Sequence, residues 1–269
     1  MKTFAERFAA IRATAGPLVW GLDPSGSLLE QWGFGDTPEG LDRFADIVLA
    51  VAACTVGVVK PQSAFYERHG WRGIRTLTRL IADARSAGLL VILDVKRGDV
   101  GSTNDAYAQA YLGKDAPLAA DAITVHPYLG LGAMSAFVTR AHQSGSAVLV
   151  VTRSSNPEGR VMQAPVEAGL LREIGLLNAE LAPGALGPVG AVIGPTADPG
   201  LDLASANCLF LAPGVGAQGA SPQDVARVFA TCPERVMPSA SRSLLAAGPD
   251  GNRLRDAVAA LADEFRGAL

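Results

Sequence analysis

The sequence predicts an α/β protein built as a single (β/α)8 barrel with a short N-terminal helix. Short apolar runs alternate, eight times over, with segments whose apolar residues recur at helical spacing. The apolar runs are continuous rather than alternating, as expected of parallel strands covered on both faces. The length of 269 residues suits one such TIM barrel, which typically needs about 250.

Taken in order, Phe4, Phe8, Ala9 and Ile11 predict an amphipathic helix that acts as a lid before a first strand, Leu18 to Leu22. Leu41 to Ala53 reads as a helix, followed by a strand from Thr55 to Val59 that ends at Lys60-Pro61. Ile74, Leu77, Leu80 and Ile81 are in helical phase, and Gly88 stops that helix before a strand from Leu89 to Val95. A helix from about Asn104 to Leu112, a strand Ala122 to Val125, a helix Leu131 to Gln143 and a strand Ala147 to Thr152 follow.

The second half repeats the rhythm. A helix from about Pro165 to Ala182 leads to a strand Gly190 to Ile193, a short helix near Leu201 to Ala204 and a strand Cys208 to Leu211. A helix Pro222 to Ala230, a strand Arg235 to Met237 and a closing helix Arg253 to Phe265 complete the count. No interior linker, charge run or low-complexity segment divides the chain, so residues 1–269 read as one domain.

Composition narrows the function classes. Apolar residues make up 49% and charged residues 18%, enough to bury a large core. A net charge of −3 gives no general attraction to nucleic acid or to anionic membrane. No stretch approaches the roughly 18 apolar residues of a membrane span. Met1 to Ala15 mixes charges with spaced apolar residues, unlike a signal peptide. Cys54, Cys208 and Cys232 are odd in number and lack zinc or disulfide spacing, which fits a reducing cytoplasm.

In such barrels the active site lies at the C-terminal strand ends, so the polar residues after each apolar run are the candidates. They are Asp23, Lys60, Asp94 with Lys96 and Asp99, His126, Ser154 with Ser155, Gln218 and Arg242. Asp94 and Lys96 are two apart and point the same way in an extended chain, while Gly98 lets the chain turn before Asp99. Charges buried there must neutralise one another or meet a ligand, because burying a lone charge costs several kcal/mol. Asp94 with Lys96 alone could be a structural ion pair, but two lysines and three acids converging on one mouth argue for chemistry. His126 before Pro127 reads as a satisfied core histidine.

Gly214, Gly216 and Gly219 fit G-x-G-x-x-G, yet they follow the seventh strand rather than opening a first βαβ unit, so a nicotinamide site is disfavoured. A monophosphate site is the better reading, since loops after strands seven and eight of barrels often hold phosphate on backbone N–H groups. Arg242 supplies the matching planar, permanently charged fork.

Leu93-Asp94-Val95-Lys96-Arg97-Gly98-Asp99-Val100-Gly101-Ser102-Thr103, Ala212-Pro213-Gly214-Val215-Gly216-Ala217-Gln218-Gly219 and Ser241-Arg242 resemble the orotidine 5'-phosphate decarboxylases, in the bacterial branch called type 2. Gly21-Leu22-Asp23-Pro24 and Val59-Lys60-Pro61 match at the first two strands. The resemblance implies conversion of orotidine 5'-phosphate to UMP and CO2 in pyrimidine synthesis, with neither cofactor nor metal. Lys60, Asp94, Lys96 and Asp99 would form the charged catalytic array, with Lys96 as proton donor to C6.

It further implies a homodimer with shared sites, in which Asp99 serves the neighbouring subunit and Thr103 follows it to the ribose. Asp23, Ser154, Ser155, Gly216, Gln218, Gly219 and Arg242 would bind substrate, either serine reading the pyrimidine amide. The alternative is a Mg2+-dependent sugar-phosphate decarboxylase or aldolase of the same barrel group, where a glutamate that helps hold the metal stands in place of Lys60.

Overall fold

The computed structural model describes residues 1–196, 200–217 and 219–269. Among them, eight parallel strands close into a barrel in sequence order. The strands are β1 (Val19–Leu22), β2 (Val58–Pro61), β3 (Leu90–Arg97), β4 (Ala122–Val125), β5 (Ala147–Arg153), β6 (Val189–Ile193), β7 (Phe210–Pro213) and β8 (Val236–Ala240). Closure is made where Val19 and Trp20 of β1 pair with Ser239 and Ala240 of β8.

The continuous apolar runs are explained by two cores. Val19, Val58, Leu90, Ile92, Leu149, Leu211 and Met237 fill one core, while Trp20, Leu22, Val59, Val91, Leu93, Val148 and Val150 pack in the other with the apolar faces of the helices. Every strand residue is buried except Lys96 and Arg97 at the end of β3 and Pro213 at the end of β7.

The helix Phe4–Ala15 starts with a capping box in which the Thr3 hydroxyl accepts from the Glu6 backbone and the Glu6 carboxylate accepts from Thr3 N–H. Phe4 and Phe8, one turn apart, join the first core. Burying each stabilises the barrel by about 1.5–3 kcal/mol. Arg7 beside them binds Asp121, which precedes β4, at 2.5 Å and the Gly145 carbonyl, just before β5, at 3.1 Å. The expected lid therefore closes the N-terminal end of the barrel and leaves the C-terminal strand ends open.

Several boundaries moved for local reasons. β2 begins at Val58 rather than Thr55, because Cys54, Thr55 and Val56 still bond back to Val51 and Ala52 at the end of the helix Pro38–Ala52. β8 runs past Met237 to Ala240, since Pro238 and Ser239 lie opposite Ala212 and Pro213 of β7. The short helices Gly26–Gln31 and Ala64–Glu67 are too brief to show a period in sequence. Between β6 and β7 the described residues include a short 3₁₀ helix, Ala204–Ala206, slightly later than the short helix expected near Leu201 to Ala204.

Candidate active site

The C-terminal end of β3 departs from regular pairing. Leu93 pairs with Ile123 and Arg97 with Val125, so four steps along β3 advance against two along β4. The surplus forms a bulge, and Lys96 within it takes φ +44°, a left-handed conformation that costs a residue with a Cβ roughly 1–2 kcal/mol. Simple strand alternation was the expected reason for Asp94 and Lys96 to meet; they do meet, through a bulge. Gly98 follows because a Cβ there would lie 2.7 Å from the His126 carbonyl oxygen, a close approach rather than a left-handed turn. Arg97 pins this end, its guanidinium reaching Glu67 at 2.6 Å and the Tyr111 hydroxyl at 3.2 Å.

Asp94 is bound on both carboxylate oxygens. Lys60, at the end of β2, donates to Oδ2 at 3.1 Å, and Lys96 donates to Oδ1 at 2.5 Å. The Thr124 hydroxyl adds a third bond, to Oδ1, at 2.7 Å. Burial alone pushes the Asp94 carboxyl up, but the two ammonium groups and these bonds hold it well below the usual carboxylate range. Burial likewise lowers Lys60, yet Asp94 and then Asp23 outweigh it, and the ammonium is favoured. Lys60 and Asp94 are buried, whereas the Lys96 side chain is 39% exposed.

These groups line a cavity of about 280 Å³, together with Asp23 after β1, Ser154, Ser155 and Asn156 after β5, Gly214, Val215 and Ala217 after β7, and Arg242 after β8. Val151, Val192 and Leu211 supply apolar wall. In a closed eight-stranded barrel β3 and β7 lie four strands apart, so the Lys60–Asp94–Lys96 cluster and the loop after β7 face each other across the mouth. Asp23 Oδ1 and Ser241 Oγ are buried there without a hydrogen-bond partner among the described residues.

The cavity gathers seven of the expected residues: Asp23, Lys60, Asp94, Lys96, Ser154, Ser155 and Arg242. Ser154 is tied to Gln163, its N–H donating to Oε1 at 2.9 Å while Gln163 Nε2 donates to its hydroxyl at the same distance. Asp99 and Thr103 do not line this cavity. Thr103 is exposed on the helix Gly101–Tyr111, and Asp99 is held by Asn104, which accepts its N–H at 3.0 Å. The N–H groups of Gly216 and Gly219 donate to Ala220 and Gly216 carbonyls within the loop. Gln218 lies outside the described residues.

His126 is not a core residue. It sits exposed beyond β4, its pKa pushed down by burial of its ring atoms and by Lys96, with Asp94 opposing. Sequence reasoning passed over Thr124 and gave Ser241, quoted only as the neighbour of Arg242, no role of its own. The one signal of Thr124 was a hydroxyl in an apolar strand run, which a strand-forming threonine commonly provides for other reasons.

A family model described as "Orotidine 5'-phosphate decarboxylase / HUMPS family" matches residues 16–257. The chain belongs to this family. Orotidine 5'-phosphate decarboxylases from Salinispora arenicola and Streptomyces coelicolor are 47% and 44% identical to it, each alignment covering 100% of this chain and 99% of the relative. A crystal structure from Streptomyces avermitilis, provisionally described as the same enzyme, superposes with a TM-score of 0.95 at 43% identity, covering 100% of this chain and 96% of the other.

These orotidine 5'-phosphate decarboxylase relatives do not support the Mg2+-dependent alternative, and the donor set agrees with them. Where that reading needs a metal-binding carboxylate stands Lys60, and both oxygens of Asp94 are already occupied by ammonium groups.

Proposed function

We propose that the chain decarboxylates orotidine 5'-phosphate to UMP and CO2 without a metal or organic cofactor. The observation that carries this reading is the Lys60–Asp94–Lys96 cluster, two cations on one buried aspartate, opening into a cavity in a member of this family. Loss of CO2 from C6 leaves an electron pair in the plane of the ring, where the π system cannot delocalise it. The developing anion needs a fixed positive charge beside it, and a preorganised ammonium meets that need with little rearrangement.

Lys96 is the candidate for both charge and proton, being the partly exposed cation of the cluster. Asp94, held ionised, orients Lys96 and presents a like charge to the substrate carboxylate. Lys60 keeps Asp94 ionised. Asp23, in the cavity wall, suits a ribose hydroxyl, while Ser154 and Ser155 suit the pyrimidine amide. Arg242, with the loop holding Gly216, Gln218 and Gly219, suits the phosphate, whose remote binding energy then lowers the barrier at C6.

Asp99 and Thr103 are assigned to the neighbouring subunit's site in a homodimer. Support comes from their lying outside the cavity of their own chain. Val100, Tyr128 and Leu129, large apolar side chains exposed on this and the adjacent loop, mark a surface suited to a second copy. Residues 1–269 act as one catalytic domain. No described helix is long and apolar enough to cross a membrane. The free cysteines Cys54, Cys208 and Cys232 support a cytoplasmic setting.

The test is loss of orotidine 5'-phosphate absorbance with purified protein in EDTA. Sustained turnover is expected; absence of turnover, or turnover abolished by the chelator and restored by Mg2+, would refute the reading.

A further inference from the structure

Thr124 lies at the centre of the β4 wall, almost fully buried, and its side chain reaches the cavity. Its hydroxyl touches both halves of the β3 bulge. It accepts the Lys96 backbone N–H at 3.0 Å and donates to Asp94 Oδ1 at 2.7 Å. The same Oδ1 receives the Lys96 ammonium at 2.5 Å, so backbone, hydroxyl, carboxylate and ammonium form a closed ring.

The direction of each bond in that ring is forced. Asp94 is held ionised and cannot donate, so the single hydroxyl proton must go to it, leaving a lone pair for the Lys96 N–H. The support behind the ring is stiff. Thr124 pairs in register with Leu149 of β5, and its β-branched side chain has restricted rotation.

We propose that Thr124 is a positioning residue for decarboxylation: one hydroxyl holds Lys96 in its left-handed backbone conformation and aims Asp94, which together fix where the ammonium stands. Without that hydroxyl the Lys96 N–H loses its acceptor and Asp94 loses a donor. The ammonium then keeps its charge but not its place. Because the hydroxyl is committed to protein groups on both sides, its loss acts on turnover rather than on nucleotide binding. The inference rests on the reading of Lys96 as proton donor.

The experiment compares Thr124→Val, which removes the hydroxyl at nearly constant shape, with Thr124→Ser, which keeps it. Turnover of orotidine 5'-phosphate, KM and calorimetric UMP affinity are measured at a temperature where all proteins are folded. Thr124→Val should lower kcat by about tenfold to a hundredfold with UMP affinity within about threefold of wild type, and Thr124→Ser should stay within about threefold in kcat.

The proposal is overturned if the valine variant keeps wild-type kcat, if serine falls as far as valine, or if the loss appears in UMP affinity instead. Should the valine variant not fold, Thr124→Ala carries the same prediction. Wild-type protein that fails to decarboxylate would remove the proposed function itself, whereas a normal wild type beside a normal valine variant removes only the role of Thr124.

Discussion

Each end of the barrel carries a buried aspartate gripped by two cations. At the N-terminal end Asp121 binds Arg7 at 2.5 Å, has Arg85 at 3.7 Å and accepts the Val91 N–H at 2.9 Å. At the C-terminal end Asp94 binds Lys96 at 2.5 Å and Lys60 at 3.1 Å. The electrostatic ingredients are alike; what surrounds them is not. Arg7 is also bonded to the Gly145 carbonyl and lies on a helix whose Phe4 and Phe8 plug the barrel. Lys96 instead stands on a bulged, left-handed residue beside a cavity, with ammonium protons to spare for a ligand. A charge cluster alone therefore marks neither stability nor catalysis; the opening beside it decides.

The largest effect that would sharpen this contrast is expected of Lys96→Ala. Removing both a proton donor and a fixed charge should lower kcat by at least about 10³-fold while calorimetry still shows UMP binding. Near-normal turnover would break the distinction between the two ends. Next, mixing Lys96→Ala with Asp99→Ala protein should restore activity to two preparations that are each nearly inactive. With random reassembly, half the dimers are mixed and half of their sites intact, giving about a quarter of wild-type activity. No recovery after verified subunit exchange would place Asp99 outside the partner's site.

At the closed end, Phe8→Ala should cost about 3–5 kcal/mol in urea unfolding and leave kcat of the folded protein unchanged. A fall in kcat would show that the plug reaches the chemistry. The smallest effect is in pH. Because folding lowers the Asp94 pKa, its stabilising contribution is fully present above its ordinary value of 3.8 and lost as pH falls through the lowered one. Urea unfolding of wild type should show no loss assignable to Asp94 between pH 7 and 5, compared with Asp94→Asn; a difference shrinking across that window would contradict the pairing.

The barrel was legible because its signal is repeated: each buried strand is an unbroken apolar run, and the polar residue after it marks the mouth. Lys60, Asp94, Lys96 and Arg242 could be collected by that rule. The bulge at Lys96 could not, since a positive φ at a lysine is imposed by tertiary bonds to Thr124 and Asp94 rather than by local preference. Thr124 was hidden for the same reason, a strand-forming residue in a strand. The short helix expected near Leu201 to Ala204 is a 3₁₀ helix lying slightly later, at Ala204–Ala206, since apolar spacing over so few residues does not fix an element's bounds or type.

The most direct measurement sets Asp94→Asn beside Asp121→Asn, with kcat for orotidine 5'-phosphate and Tm recorded for both. Asp94→Asn should lose at least about 10²-fold in kcat. Asp121→Asn should lower Tm and keep kcat within about twofold at temperatures where it is folded, as a residue at the N-terminal face should. Equal losses of turnover in the two variants, or an active Asp94→Asn, would contradict the assignment of chemistry to the open end of the barrel.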